Sequence, residues 1–143
     1  MRIAALLLSA SILLAQQNAR ERAEWNQPVA PFKIIGNVYY VGARGVSSFL
    51  IVTVAGSILL DGGFPETAPL IVRNTAALGF STGDIRYLLN SHAHYDHSGG
   101  LAALKTLSSA KLVASAGDAP MLERGRGNEE APPVKVDRII SDK

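Results

Sequence analysis

The stretch that decides the fold is Asn90-Ser91-His92-Ala93-His94-Tyr95-Asp96-His97-Ser98-Gly99-Gly100. It contains all three histidines of the chain within six residues, together with one aspartate. Chance would place three histidines at this spacing in about 3 of every ten thousand arrangements. Because neutral imidazole and carboxylate are good zinc ligands, His92, His94, Asp96 and His97 are candidate metal ligands. The alternative is a polar helix N-terminus whose histidines are only solvated.

The sequence on either side places this stretch between a strand and a helix. Residues 85–89 form an apolar run of strand length, and Leu101, Leu104 and Leu107 recur at the spacing of a helix face. A turn that leaves a strand can direct alternate side chains into one pocket without following helical spacing. The pattern therefore predicts that the candidate ligands converge where the strand ends.

The rest of the chain changes from strands to an alternation of helices and strands. Two hairpins are predicted in the first part, with strands over residues 32–35, 38–41, 48–54 and 57–60. The later elements are a helix over 65–79, a strand over 111–115, a short helix over 118–123 and a loop over 125–133. This order predicts an α/β (α+β) class in which a mixed sheet carries helices on its outer face.

Length and composition narrow the possible functions. The 143 residues have the length of one ordinary domain, and a hydrophobic content of 48% is enough to build a core. The net charge of +2 is spread along the chain without a basic patch, so a nucleic-acid partner is not expected. Since the chain has no cysteine, it has neither a disulfide nor a thiolate ligand, and any metal site must use histidines and carboxylates.

The N-terminus has the pattern of a secretory signal peptide. Met1-Arg2 gives a positive start, residues 3–15 are mostly apolar, and the polar pair Gln16-Gln17 follows. A membrane span needs about 20 apolar residues, so this run is too short to be an anchor. The sequence therefore predicts a signal peptide over residues 1–15, a mature domain over residues 16–143, and a periplasmic or secreted product.

Residues 91–100 resemble the metal-binding motif of the metallo-β-lactamase superfamily, in the form used by subclass three of the class B β-lactamases. Other stretches that resemble this subclass are residues 25–28, 31–32, 36–42, 59–63, 78–80 and 136–138. In the other two subclasses an arginine usually takes the place of His97 and a cysteine serves the second zinc. The resemblance implies the N-terminal half of an αβ/βα sandwich that holds two zinc ions when the domain is complete.

The resemblance also implies a role for each candidate residue. His92 and His94 would bind the first zinc, whereas Asp96 and His97 would bind the second. Asp96 would in addition act in catalysis, by orienting the nucleophile and taking part in proton transfer. Asp61 resembles a family aspartate that supports the ligands from behind. The alternative for Asp61 is a turn-forming residue before two glycines.

The implied activity is hydrolysis of the amide bond of a small-molecule β-lactam by a zinc-activated water. In the family each zinc takes a third ligand from a histidine in the second half of the fold, and no histidine follows His97. Residues 16–143 are therefore expected to be a partial domain. Two other interpretations stay open at this point: a glyoxalase-II-like thioester hydrolase, and an inactive zinc-binding fragment without enzymatic function.

Overall fold

The computed structural model describes residues 16–126 and 130–141. The strands are β1 (Phe32–Ile35), β2 (Val38–Tyr40), β3 (Phe49–Thr53), β4 (Gly56–Leu60), β5 (Ile85–Leu89), β6 (Lys111–Ser115) and β7 (Arg138–Ile140). The helices are α1 (residues 16–25), α2 (Ala68–Ala77), α3 (Tyr95–Ser98), α4 (Leu101–Ser108) and α5 (Ala119–Arg124), with 3-10 turns at Pro65–Thr67 and Thr82–Asp84. The predicted signal peptide, residues 1–15, lies outside the described residues.

All seven strands form one mixed sheet in the order in which they occur along the chain. β1 to β4 pair antiparallel. Two-residue turns join β1 to β2 and β3 to β4, whereas residues 41–48 connect β2 to β3. Glycine occupies the left-handed position of the first turn, where Gly36 has φ of 53°. β4 to β7 pair parallel, and each connection contains a helix that crosses one face of the sheet. The predicted class, a mixed sheet with helices, is confirmed.

Parallel pairing brings the carboxyl ends of β4, β5 and β6 to one edge of the sheet. Asp61 follows β4, the histidine motif follows β5, and Asp118 lies just after β6. Binding sites of open α/β sheets form at this edge, because the loops that leave neighbouring strands meet there. The fold therefore gathers residues that are distant in sequence around the motif.

The core lies between the sheet and the helices. Leu50, Leu59, Leu88 and Leu112 point from four adjacent strands to the helix side and are fully buried. They belong to one apolar cluster with Ile71 of α2 and with Leu101 and Leu104 of α4. Burial of a leucine side chain contributes about 1.5–3 kcal/mol, so this layer holds the sheet and the helices together.

The opposite face of the sheet is apolar but open. Ile58, Tyr87, Leu89, Val113 and Ile140 line a shallow groove there together with Arg138. Tyr87 is 38% exposed and Ile140 is 53% exposed, whereas Leu88, the next residue after Tyr87 on β5, is fully buried on the helix side. Only one of the two faces is thus covered by the described part of the chain.

The helix predicted over 65–79 is a 3-10 turn followed by α2, and neither α1 nor β7 was predicted from the sequence. Residues 16–25 are helical, although their polar composition gave no apolar stripe to indicate a helix. β7 is a three-residue strand with exposed side chains, and its formation depends on its pairing with β6. Within the described ranges, no helix is both long enough and apolar enough to cross a membrane.

Candidate active site

The histidine motif begins as an extension of β5 and ends as one turn of helix. Asn90 N–H donates to Val113 O of β6 at 3.3 Å, which prolongs the strand pairing. His94 is extended (φ −72°, ψ 149°), and α3 starts at the next residue. The prediction of an extended turn therefore holds for His92 and His94, whereas Asp96 and His97 lie on α3.

The structure brings the four predicted ligands together. The rings of His92 and His94 have centroids 4.6 Å apart, and those of His92 and His97 are 4.0 Å apart. On α3, His97 Nε2 lies 3.5 Å from the nearer carboxylate oxygen of Asp96. The three imidazoles and one carboxylate thus form a single cluster at the edge of the sheet.

Asp61 lies directly behind this cluster and is only 4% exposed. Its Oδ1 accepts a hydrogen bond from Ser91 N–H at 2.8 Å, and its Oδ2 accepts one from Ser91 Oγ at 2.7 Å. Oδ2 also lies 2.8 Å from His97 Nδ1. Because a carboxylate only accepts, this contact places the ring proton on Nδ1 and leaves the lone pair of His97 on Nε2.

The backbone of Asp61 is in the left-handed region, with φ of 61°. Aspartate visits this region more readily than most residues, at a cost of about 1 kcal/mol. The conformation turns the chain at the end of β4, so that Gly62 N–H donates to His97 O at 2.7 Å. Gly100 N–H donates to Gly63 O at 3.1 Å, and the two backbones pack too closely for a side chain at Gly100.

An aromatic and charged cluster flanks the motif on the side of α1. Tyr95 packs against Phe64 with ring centroids 5.7 Å apart, and the guanidinium of Arg22 lies 4.8 Å from the centroid of Phe64. Arg22 also forms a two-pronged ion pair with Glu66, at 2.5 and 2.7 Å. Burial raises the pKa of the Glu66 carboxyl, but the hydrogen bonds from Arg22, a backbone hydrogen bond and the charge of Arg22 together outweigh burial and lower this pKa. This contact attaches α1 beside the motif.

The donor chemistry of the cluster fits zinc. Histidines that bind a metal usually donate their other ring N–H to a carboxylate or carbonyl, and the contact of His97 Nδ1 with Asp61 has this arrangement. Across residues 16–126 and 130–141, no set of three histidine, cysteine, aspartate or glutamate side chains is close enough to form a ready metal site. The residues are therefore suitable in type and gathered in one place, but their donor atoms do not already enclose an ion.

Comparison with known protein families identifies the superfamily of the chain. The family profile of the metallo-β-lactamase superfamily matches residues 41–142. This chain belongs to the metallo-β-lactamase superfamily. The match covers the strands from β3 onward, the motif and Asp61, so the membership that the motif predicted is confirmed.

Solved structures of this superfamily agree with the fold. BJP-1, a subclass B3 metallo-β-lactamase of Bradyrhizobium japonicum, is 42% identical, with a TM-score of 0.78 over 82% of this chain and 47% of that chain. A Cronobacter sakazakii metallo-β-lactamase described by a HARLDQ motif is also 42% identical, with a TM-score of 0.82 over 87% of this chain and 48% of that one. Residues 92–97 of this chain instead read His-Ala-His-Tyr-Asp-His.

A relative with another named activity matches a shorter part of the chain. The hydroxyacylglutathione hydrolase of Rhodospirillum rubrum is 34% identical over 58 residues, which are 41% of this chain and 22% of that protein. The chain spans about half the length of the solved metallo-β-lactamases that it matches. Together, the superfamily and its subclass B3 structures support a hydrolase.

Sequence reasoning did not single out Asp118, Ser115 or Arg22. Asp118 Oδ1 accepts a hydrogen bond from Ala93 N–H in the middle of the motif. The position of Asp118 after a strand parallel to β5 was a usable signal, because the carboxyl ends of parallel strands meet at one edge. Arg22 gave no such signal, since it lies in a polar segment and its partner Glu66 is 44 residues away.

Proposed function

We propose that this metallo-β-lactamase chain supplies the N-terminal, ligand-bearing half of a zinc-dependent hydrolase of β-lactams that acts in the periplasm or outside the cell. The observation that carries the proposal is the gathering of His92, His94, Asp96 and His97 beside Asp61 at the edge of the sheet. Its substrate class is supported by the subclass B3 structure BJP-1 and the Cronobacter sakazakii metallo-β-lactamase, which each resemble the chain over more than four fifths of its length.

The clustered residues would have different roles in metal binding and catalysis. His92 and His94 would hold one zinc, and Asp96 with His97 would hold the other. Zinc, when bound, supplies Lewis acidity that lowers the pKa of water and polarises a carbonyl group. Asp61 fixes the tautomer of His97, so that Nε2 rather than Nδ1 is presented to the metal. Asp96 would orient the attacking water and hold its proton during the reaction.

A second candidate is thioester hydrolysis, which the partial match to hydroxyacylglutathione hydrolase favours. That match is shorter and less identical than those to the subclass B3 structures. The histidines and Asp96 would have the same metal-binding roles, because both reactions attack a carbonyl carbon with water. The two functions differ in the acyl group and the leaving group that the complete pocket accepts.

The experiment uses a chimera, since the relatives are about twice as long as this chain. The chain is fused to the remaining half of BJP-1, and hydrolysis of a chromogenic cephalosporin and of a glutathione thioester is measured with and without a chelator. We expect zinc-dependent hydrolysis of the cephalosporin that the chelator abolishes. The unfused chain serves as a control and should be far slower, because its motif offers two ligands to each zinc where a catalytic zinc normally takes three.

Asp96→Asn in the chimera should lower kcat by about 100-fold or more, because it removes a charged ligand and the proton-holding group together. The matched control is Asp84→Asn, which changes an exposed aspartate away from the cluster and should leave kcat unchanged. A chimera that hydrolysed the thioester and left the cephalosporin intact would replace this proposal with the second candidate.

A further inference from the structure

The amide of Ala93, between His92 and His94, is held by a carboxylate from another part of the chain. Ala93 N–H donates to Asp118 Oδ1 at 3.1 Å across 25 residues of sequence. Asp118 lies just beyond the carboxyl end of β6, the strand next to the one that leads into the motif. From this contact we propose that Asp118 is a positioning residue, which sets the direction of His92 and His94 by fixing the peptide group between them.

Asp118 occupies the N-cap of α5, where an aspartate usually accepts from the first amides of its own helix. Here its side chain makes no capping hydrogen bond, and only its backbone carbonyl receives the amides of Met121 and Leu122, at 2.9 and 3.0 Å. A role as an ordinary helix cap therefore does not account for this carboxylate. Its oxygen atoms are directed to the motif instead.

The carboxylate of Asp118 is itself held in place by Ser115. Ser115 Oγ donates to Oδ2 of Asp118 at 2.9 Å, and Asp118 N–H donates back to Ser115 Oγ at 3.0 Å. This reciprocal pair closes the turn between β6 and α5 and restricts rotation of the aspartate side chain. Oδ1 is consequently presented to Ala93 from a rigid element.

Two carboxylates thus hold alternate amides of the segment that carries the histidines. Asp61, from the end of β4, accepts from Ser91 N–H, and Asp118, from the end of β6, accepts from Ala93 N–H. The carbonyl of His94 is held as well, because Ser98 Oγ donates to it at 2.9 Å. Rotation of the Ala93 peptide would change the directions of both neighbouring side chains, so the contact with Asp118 controls the approach of two ligands to one ion.

The inference extends the proposed function, because it names a residue that orients two of the ligands of the same site. Its test uses the 143-residue chain with Asp118→Ala, Asp118→Asn and, as a matched control, Asp84→Ala. In the metal-free chain, NMR measures the exchange rate of the Ala93 amide and the contacts between the rings of His92 and His94. A Co²⁺ titration of the same variants in the chimera with the second half of BJP-1 then measures the affinity and the visible spectrum of the bound ion, because the chain alone offers only two ligands to each metal.

We expect Asp118→Ala to speed exchange at Ala93 by about tenfold or more, weaken the ring contacts and lower Co²⁺ affinity by about 10–100-fold. Asp118→Asn should restore all three to within a few-fold, because its amide oxygen still accepts from Ala93 and its amide nitrogen can donate to Ser115. Asp84→Ala should behave as the unchanged chain. Rescue by the amide would show that geometry rather than charge is what Asp118 contributes.

The inference would be overturned if Asp118→Ala left the exchange rate of the Ala93 amide and the ring contacts unchanged. It would also be overturned if every amide lost protection equally, because that result would indicate a purely structural role. If Asp118→Ala does not fold, Ser115→Ala takes its place and should produce a smaller change in the same direction. A chimera that binds no Co²⁺, although its chain shows the expected effects at Ala93, would contradict the proposed function while it supports the positioning by Asp118.

Discussion

Replacement of Asp61 by alanine tests the support behind the metal cluster. The change removes the acceptor of Ser91 N–H, Ser91 Oγ and His97 Nδ1, all within 2.8 Å. A hydrogen bond to a charged group contributes about 1.5–3 kcal/mol, and alanine would pay about 1 kcal/mol more than aspartate for the left-handed backbone. Since Ser91 Oγ can donate to His92 Nδ1 instead, 3.2 Å away, the two other hydrogen bonds and the backbone cost give an expected loss of about 4–7 kcal/mol in the free energy of unfolding.

Asparagine at the same position separates stability from metal binding. It tolerates the left-handed backbone and still accepts from Ser91 N–H through its amide oxygen, so the loss of stability should be only about 1–2 kcal/mol. Its amide nitrogen would then face His97 Nδ1 and donate to it, which moves the ring proton to Nε2. Because a protonated Nε2 cannot bind metal, we expect Asp61→Asn to lower zinc affinity by about 10–100-fold.

The assays are urea unfolding of the chain and a zinc titration of the chimera with the second half of BJP-1. Asp61→Gly is the matched control, because glycine removes the same hydrogen bonds but relieves the left-handed strain. It should be more stable than Asp61→Ala by about 1 kcal/mol. The reasoning would be refuted by an Asp61→Asn variant that binds zinc as tightly as the parent, or by a loss below about 1 kcal/mol in Asp61→Ala.

Three further predictions concern the surroundings of the site. The pKa of Glu66 is lower in the folded chain than the ordinary value of 4.5. Its pair with Arg22 therefore stabilises the fold fully above pH 4.5, and this stabilisation is lost as the pH falls through the lower pKa of the folded state. Because the pair is partly exposed, Glu66→Gln should remove about 0.5–1 kcal/mol at neutral pH and speed proteolysis of α1 there. Gly100→Ala should cost about 1–3 kcal/mol in urea unfolding, since its Cβ would collide with the carbonyl oxygen of Gly62. The exported product should lack residues 1–15 when its mass is measured in a periplasmic fraction.

A specific result would contradict each of these three predictions. Acid-dependent proteolysis of α1 that persists unchanged in Glu66→Gln would assign the dependence to another group. The control for Gly100→Ala is Gly117→Ala, whose added methyl group meets only ordinary contacts, and equal losses in the two variants would refute the steric argument. An intact Met1 on a cytosolic product would contradict the predicted export.

The sequence predicted those strands that a short run of neighbouring residues specifies. β5 and β6 have the predicted bounds, residues 85–89 and 111–115, because each is an apolar run bounded by polar or glycine-containing segments. The histidine spacing identified the candidate ligands, and the predicted strand and helix on either side of the motif gave their place in the fold. In contrast, α1 is held by the pair of Arg22 with Glu66, and β7 exists only through its pairing with β6. Such elements depend on contacts that no short window of sequence contains.

The contacts of Asp61 and Asp118 around the cluster likewise could not be predicted from a short window of sequence. For Asp61 the sequence left two interpretations, a turn-forming residue and a support for the ligands, and the structure combines a left-handed turn with a contact to His97. Its part in metal binding stays a proposal. Asp118 reaches Ala93 because β5 and β6 are parallel neighbours. Its place after a predicted strand was a signal for the edge of the sheet, but its partner could be identified only once the strand order was known.

The sequential order of the seven strands has a consequence for how the sheet forms. Every strand pairs only with strands that precede or follow it directly along the chain, so no pairing has to wait for a distant segment. The hairpins β1–β2 and β3–β4 close short loops at a small cost in chain entropy, whereas the three parallel pairs close connections of more than 20 residues and are expected to form more slowly. The sheet can therefore grow from its first hairpin, one strand at a time, in the direction of synthesis. Each newly added strand serves as the template for the next, and the histidine motif acquires its neighbours in the order Asp61, then Asp118.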